Sequence, residues 1–409
     1  MSRPDPIILL LLVGLCNPAG CRRFQAADPD RAIVIWEQED AAVAPYIDSV
    51  LEAFRKLPGN QDLKIVRTHY HNEDLRQQFQ TSSIAGNPPD LLMSPSDMAG
   101  VYCISGFILP VDGLFDMKRY NRPVVEAVSL DGRIWGVPIS NGNHLMLLYN
   151  KRLAPQPPRT TAELFDYCDK RAKQLKLDNC MALFLGEPFW LVPWLGAFGG
   201  WPIAGRTPSL DTPAMRRAVD FILELKRRKY VPSECDYNCM DSLFKEGKAA
   251  FIINGDWAVS TYEAQLKGDL GVAKIPKLSQ TGRWPTPMVS GKYFMLSSKL
   301  RGPKLELVKR LVEFYTNEDN QIGQVKALMR LPALARANRA KVITDDPNLR
   351  ASLEQILAGR PMPMATEMRA VWDAIRAPFG KALSGQMGVD DAVKRMQADA
   401  ENNLREMNE

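Results

Sequence analysis

The chain has 409 residues, more than one hydrophobic core usually organises, so two domains or lobes are expected. Hydrophobic residues make up 45% and charged residues 24%, which is typical of a soluble globular protein and argues against a disordered one. The formal net charge is +5, and basic and acidic residues are interspersed along most of the chain. No basic block therefore indicates nucleic-acid binding.

The first twenty residues have the layout of a secretory signal peptide. An apolar run from Ile7 to Leu15 is too short to span a bilayer as a stable helix, and small residues follow it. Ala19-Gly20-Cys21 resembles a bacterial lipobox, in which the cysteine is lipidated and becomes the mature N-terminus, although Pro18 stands where leucine is usual. We predict a signal peptide at 1–20, lipidation of Cys21 and a polar tether at 21–30; cleavage without lipidation is the alternative.

Five cysteines follow Cys21, and export would permit disulfides among them. Cys235 and Cys239 could close a small loop, and Cys168 and Cys180 could pair across a helix and the strand after it. One thiol would be left over. The cysteines lack the spacing of zinc ligands and the histidines lie far from them, so neither a metal nor a cofactor is predicted.

Residues 32–93 have the pattern of alternating strands and helices. The predicted strands cover 32–36, 63–66 and 90–93, and the predicted helices cover 46–56 and 73–84. This order predicts parallel pairing with right-handed crossovers. Since ligands of such sheets bind beyond the carboxyl ends of the strands, we expect Trp36, Asp40 and Asp97 at the rim of one site.

Further along the chain, strands are predicted at 133–138 and 145–150, separated by turn residues. We interpret that turn as the first connection between two lobes, and Asn143 within it as a candidate ligand contact, although turn chemistry alone would explain an asparagine there. The remaining predicted elements are helices at 161–175 and 213–229, a strand at 249–253, and helices at 304–317, 320–328, 349–358, 366–383 and 389–407.

The segment from Phe244 to Trp257 resembles the signature of family 1 extracellular solute-binding proteins, of which the maltose-binding proteins are the best known. In physical terms it is a helix that ends at Gly247, a buried strand, and a turn at Gly255 that presents an indole. Other segments match the family in the same order: Asp90 with the strand after it, Trp135–Pro138, Leu148–Lys151, Glu187-Pro188-Phe189, Gly199-Gly200, Pro361–Pro363 and Val371–Arg376.

This resemblance implies an α/β, two-lobe periplasmic-binding-protein fold with three interlobe hinge crossings, near 140–145, 286–291 and 329–335. The implied lobes are 31–141 plus 288–333, and 142–287 plus 334–409. It also implies a periplasmic or extracytoplasmic protein, held to the membrane only by a lipid anchor. Its implied function is to bind a carbohydrate in the interlobe cleft and to deliver it to the permease subunits of an ABC importer.

The positions that match the family's ligand contacts are Trp257, Trp372, Phe189, Glu187 and Arg376. Aromatic planes can cover the apolar faces of a pyranose, while carboxylates, amides and arginine can bind its hydroxyls. The first lobe departs from maltose-binding relatives: Ser94 replaces a tryptophan and Met98 an arginine. We therefore expect contacts from that lobe to differ from those made to maltose.

Each candidate also has a purely structural interpretation. These are core packing for Trp257, Trp372 and Phe189, an interlobe salt bridge for Arg376, and helix capping for Glu187 and Asp97.

Three other functions are compatible with the same residues to different degrees. The acidic cluster of Glu37, Glu39, Asp40 and Asp97 beside aromatic residues suits a polyamine, through charge pairing and cation–π contacts. A lipoprotein that senses a ligand for a receptor would have the same sequence features. A glycosidase also uses paired carboxylates, but no G-x-S-x-G motif occurs and the chain has only three histidines, so we predict no enzymatic activity.

Overall fold

A computed structural model describes residues 31–408. The predicted signal peptide, the tether and Cys21 lie outside these residues. Within them, no helix combines the length and the apolar character that crossing a membrane requires.

Strands and helices alternate through the first half of the chain, and helices dominate the last quarter. The strands are β1 Ala32–Glu37, β2 Lys64–His69, β3 Leu91–Ser94, β4 Ser129–Leu130, β5 Arg133–Ile134, β6 Val137–Pro138, β7 Leu145–Asn150, β8 Met181–Ala182, β9 Ile203–Ala204, β10 Thr207–Pro208, β11 Phe251–Gly255, β12 Leu270–Ala273, β13 Met288–Val289, β14 Tyr293–Leu296 and β15 Arg360–Pro361. The helices are α1 Ala44–Arg55, α2 Asn72–Ile84, α3 Ala99–Ile104, α4 Arg122–Glu126, α5 Thr161–Tyr167, α6 Pro188–Ala197, α7 Pro213–Arg227, α8 Tyr237–Lys245, α9 Val259–Leu266, α10 Gly302–Tyr315, α11 Glu318–Leu328, α12 Lys341–Thr344, α13 Pro347–Leu357, α14 Glu367–Leu383 and α15 Val389–Asn408.

The first sheet has the strand order β2-β1-β3-β14-β6. Strand β1 pairs in parallel with β2 and β3, as the sequence predicts, and places Ile35 opposite Leu91. The two strands that return from later in the chain, β14 and β6, are antiparallel to their neighbours. The carboxyl ends of β1 and β3 therefore lie at the same edge, where Glu39, Asp40 and Asp97 follow them.

The second sheet has the order β12-β7-β11-β8. Every residue of β7 and β11 is buried, so both strands lie in the interior between covering helices. Helix α7 packs on this core through one apolar face, and Thr212 caps it by accepting a hydrogen bond from the Met215 N–H. The two sheets have separate hydrophobic cores, which is the two-lobe arrangement expected from the sequence.

Three chain segments connect the lobes and hydrogen-bond to one another. Gly142 and Ser290 exchange backbone hydrogen bonds of 3.0 and 2.9 Å, and the Asn141 N–H donates to the Leu331 carbonyl at 3.0 Å. Leu334 still packs in the first core, just beyond the predicted end of the first lobe. The connections thus lie side by side beneath the cleft.

Two local predictions need correction. The segment 133–138 is not one strand but two: β5 forms a small hairpin with β4, whereas β6 joins the first sheet. The helix predicted over 161–175 becomes a π-helical segment at Cys168–Ala172. The possible disulfides, Cys168–Cys180 and Cys235–Cys239, are both present, and Cys103 is free.

Candidate functional site

The main cleft lies between the two lobes and has a volume of about 430 Å³. Residues after β1 and β3 form one side, and residues from α6, α8, α14 and the end of β11 form the other. Its lining comprises Gln38, Glu39, Asp40, Glu73, Arg76, Pro95, Asp97, Met98, Asn143, Phe184, Glu187, Phe189, Trp190, Tyr237, Trp257, Lys292, Arg330, Met362, Arg369, Trp372 and Arg376. Eight of the nine side chains predicted to contact ligand are thus brought together.

Trp36 is the exception and does not line the cleft. Although it stands near the end of β1, its side chain packs against Tyr70 with ring centroids 5.0 Å apart, in a hydrophobic cluster of the first lobe. Alternation along the strand turns the indole away, while the chain beyond β1 carries Glu39 and Asp40 into the cleft.

One side of the cleft is an aromatic wall, formed by Phe184, Phe189, Trp190, Tyr237, Trp257 and Trp372. The ring centroid of Phe189 lies 6.4 Å from that of Trp257 and 6.4 Å from that of Trp372. These three side chains are only partly buried, although they rest on the core of the second lobe. They therefore offer flat apolar surface to the cleft without being core residues.

The position of Trp257 depends on the glycine before it. Gly255 has an ordinary φ of −93°, so its importance is not the turn conformation that the sequence suggested. A Cβ atom there would lie 2.0 Å from Cζ3 of Trp257, because the indole folds directly over the backbone. The indole Nε1 donates to the hydroxyl of Tyr237 at 3.0 Å, which further orients the ring.

Tyr237 and Phe184 were not singled out from the sequence. Tyr237 is the first residue of α8, and the Asp236 side chain before it caps that helix. The sequence therefore indicates only a helix start here and gives no signal for a ligand contact. Burial raises the pKa of Tyr237 to about 12, and the Asp40 carboxylate adds to this effect. The hydroxyl therefore stays protonated and keeps a proton to donate.

Glu187 and Arg376 form an ion pair at the edge of the aromatic wall. Glu187 occupies the N-cap position of α6, but its side chain caps nothing. Its oxygens instead lie 3.3 Å from Nε and 3.4 Å from Nη2 of Arg376, which also donates to Asp373 at 2.9 Å. The pair lies within the second lobe and holds a carboxylate and a guanidinium at the cleft surface.

Asp97 is similarly paired on the opposite side. Arg76 donates to Asp97 and, at 2.7 Å, to Glu73. The other oxygen of Asp97, Oδ1, is buried without a hydrogen-bond partner among the described residues. Arg369 of α14 lies 4.0 Å from Glu73 of α2, so a weak ion pair spans the cleft.

The charged floor of the cleft consists of Glu39, Lys292 and Arg330. Nη1 of Arg330 donates to Glu39 at 2.7 Å, and Nζ of Lys292 lies 3.7 Å from the same carboxylate. Burial would raise the pKa of Glu39, but the two cations outweigh it and lower the pKa. Within residues 31–408, no cation forms an ion pair with Asp40; burial, reinforced by the Glu39 carboxylate, raises its pKa.

Asn143 lines the cleft from the first crossing. Its φ of 46° lies in the left-handed region, which asparagine tolerates better than most residues. The turn therefore explains the choice of asparagine, and its place in the cleft adds a polar contact to the lining.

The cleft combines apolar planes with paired charges. Its lining carries five carboxylates (Glu39, Asp40, Glu73, Asp97 and Glu187) and five cations (Arg76, Lys292, Arg330, Arg369 and Arg376). Within residues 31–408, no group of three or more His, Cys, Asp or Glu side chains is placed to hold a metal ion. Such a surface can stack on a flat ligand and exchange hydrogen bonds with its hydroxyls.

Comparisons with known proteins agree with this geometry. The solved structure of a maltose/maltodextrin-binding domain from Bdellovibrio bacteriovorus, bound to maltotriose, has a TM-score of 0.83 and 33% identity, covering 91% of this chain and all of that one. A maltotriose-binding protein of Pyrococcus abyssi is 24% identical, covering 91% of this chain and 82% of its own length. A galactooligosaccharide-binding protein of Bacillus subtilis is also 24% identical, covering 97% and 94%. Residues 49–351 match the family described as bacterial extracellular solute-binding protein, and the chain belongs to that family.

Proposed function

We propose that this protein binds a neutral oligosaccharide in the interlobe cleft and delivers it to the permease of an ABC importer. The observation that carries the proposal is the aromatic wall facing hydrogen-bonding groups that are already charge-paired. Stacking on Trp257 and Trp372 would exclude water from the sugar faces. Relatives named for maltotriose and galactooligosaccharide support this ligand class.

The pairing of charges favours a neutral sugar over a polyamine. A polyamine would need carboxylates free to bind ammonium groups, but Glu39, Asp97 and Glu187 each already contact an arginine. Among the carboxylates that line the cleft, Asp40 alone has no cation within hydrogen-bonding distance in the part of the chain that the structure describes. One free carboxylate is a poor match for a ligand with several positive charges.

The same pairing supports binding without catalysis. A glycosidase needs one carboxyl group that donates a proton and a second that acts as nucleophile or base. Glu187 and Asp97 are the carboxylates that could imitate this pair, but each is already hydrogen-bonded to an arginine of its own lobe. We propose that both serve as hydrogen-bond acceptors for ligand hydroxyls.

Isothermal titration calorimetry with maltotriose, a galactooligosaccharide and spermidine tests the ligand class. We expect at least one sugar to bind with an affinity that changes little between low and high salt, since neutral ligands are not screened. Salt-sensitive binding of spermidine alone would favour the polyamine alternative. Unaltered sugars after long incubation would agree with the absence of catalysis.

We further propose that the mature protein begins at a lipidated Cys21 and is held at the membrane by that anchor alone. The apolar run and the lipobox-like residues support this proposal. Mass spectrometry of protein purified from membranes should show acylated Cys21 at the N-terminus. An unmodified N-terminus elsewhere would remove the anchor. A sensory role would be favoured over transport if deleting the permease left the response to ligand intact.

A further inference from the structure

Unpaired polar atoms are concentrated where the three crossings meet. Among the described residues, the buried side-chain atoms without a hydrogen-bond partner include Asn141 Oδ1, His144 Nδ1, Asp256 Oδ1, Ser290 Oγ and Arg330 Nη2. Folded proteins pair nearly all such groups, so a cluster in one place requires a physical explanation.

Two of these atoms carry opposite charges. The Asp256 and Arg330 side chains line the same gap beneath Trp257, and the two residues are only 5% and 4% exposed. The gap is too narrow for a water molecule, so water cannot bridge them there. A buried carboxylate oxygen without a donor is unfavourable, and a small movement that closed the gap would give Oδ1 of Asp256 a partner.

The two residues belong to different sides of the hinge. Arg330 is held by the first lobe, through the 2.7 Å hydrogen bond from its Nη1 to Glu39. Asp256 follows β11 of the second lobe, and its carboxylate lies against the first crossing: a Cβ atom on Gly142 would be 2.1 Å from Oδ2. Rotation of the lobes therefore changes the separation between Asp256 and Arg330.

We propose that Asp256 and Arg330 form a ligand-coupled hinge pair, which is separated in this structure and joined in a direct ion pair when the lobes close on ligand. Arg330 would then bridge a carboxylate from each lobe, with Nη1 on Glu39 and Nη2 on Asp256. Asp256 immediately precedes Trp257, so a ligand that stacks on the indole and shifts it should also shift the Asp256 carboxylate. The inference rests on the proposed function, since it requires a ligand that binds between the lobes.

The first test is Asp256→Asn, which removes the charge and keeps the shape. Because Oδ1 of Asp256 has no hydrogen-bond partner among the described residues, we expect the melting temperature measured without sugar to rise by about 2 °C. Because the closed state loses its ion pair, maltotriose affinity should fall about tenfold. Asp90→Asn is the matched control: Asp90 accepts from the Val34 N–H at 2.7 Å, so this variant should lower the melting temperature and leave affinity unchanged.

The second test is a double-mutant cycle with Arg330→Gln, measured by calorimetry with maltotriose. If the two residues pair only in the closed state, the double variant should bind within about threefold of the weaker single variant. Lys292 also lines this gap, but its Nζ lies against Glu39; if Asp256 pairs specifically with Arg330, the cycle of Asp256→Asn with Lys292→Met should be close to additive.

Three results would overturn the hinge pair. These are a lower ligand-free melting temperature for Asp256→Asn, additive affinity losses with Arg330→Gln, or coupling to Lys292 in place of Arg330. If the wild-type protein binds no sugar, the proposed function fails. The melting temperature of Asp256→Asn measured without sugar is independent of that result, and it still tests whether Oδ1 of Asp256 lacks a partner.

Discussion

The indole of Trp257 is the side chain on which the sugar hypothesis depends most. It is half-buried, lies over Gly255 and donates to Tyr237, so it is oriented before any ligand arrives. Replacing a central aromatic contact typically costs about 2 kcal/mol or more, which is roughly a thirtyfold loss of affinity. We therefore expect Trp257→Ala to weaken sugar binding by that amount, measured by calorimetry, while the ligand-free protein stays folded.

Trp257→Phe is the control for this prediction. A phenyl ring retains a smaller plane and should recover part of the lost affinity. If the melting temperature of ligand-free Trp257→Ala drops sharply while affinity is unchanged, Trp257 is a core residue and the stacking argument fails.

His144 should make stability depend on pH. It is fully buried, and burial lowers its pKa, an effect that Asp256 only partly opposes. Below about pH 6.5, His144 binds a proton in the unfolded chain but stays neutral in the folded protein. The free energy of unfolding should therefore fall as pH falls, by up to about 1.4 kcal/mol per pH unit. Denaturant unfolding between pH 7 and 5 should show a shallower slope for His144→Gln than for the wild type; equal slopes would contradict the prediction.

At the scale of helices and strands, regular patterns were predictable and contacts distant in sequence were not. The amphipathic helices α1 and α7 and the parallel strands β1 to β3 follow from apolar spacing alone. Helix α6 is apolar on every face, so it gives no helical periodicity, and it was missed although Glu187 and Phe189 at its start were identified. The charged floor was also missed, because Glu39 and Arg330 are 291 residues apart.

The Cys168–Cys180 disulfide joins the π-helical segment after α5 to the residue that precedes β8, across twelve residues. Loss of a crosslink over a loop of that size typically costs about 3 kcal/mol, because the unfolded chain gains freedom. We expect the double variant Cys168→Ala, Cys180→Ala to lose about this much in denaturant unfolding. Cys103→Ala, which removes a free thiol, should change stability much less; equal losses would assign the effect to packing instead of the crosslink.

At the scale of the whole molecule, the two lobes and their three adjacent connections predict a closing motion. A ligand that contacts both sides of the cleft should favour the closed arrangement in proportion to its preference for that state. Small-angle X-ray scattering should show a smaller radius of gyration with saturating sugar than without it. An unchanged scattering profile, with binding verified by calorimetry on the same sample, would contradict closure.

The place of β14 in the first sheet also governs the order in which the chain can fold. Its residues 293–296 lie between β3 and β6, so they complete a sheet whose other strands all precede residue 139. A chain emerging from its N-terminus therefore carries β3 with an unpaired edge until more than two-thirds of its length is available. We therefore expect the first sheet to be completed late during synthesis, which would help to keep the precursor unfolded for passage through a membrane pore if it is exported as proposed above.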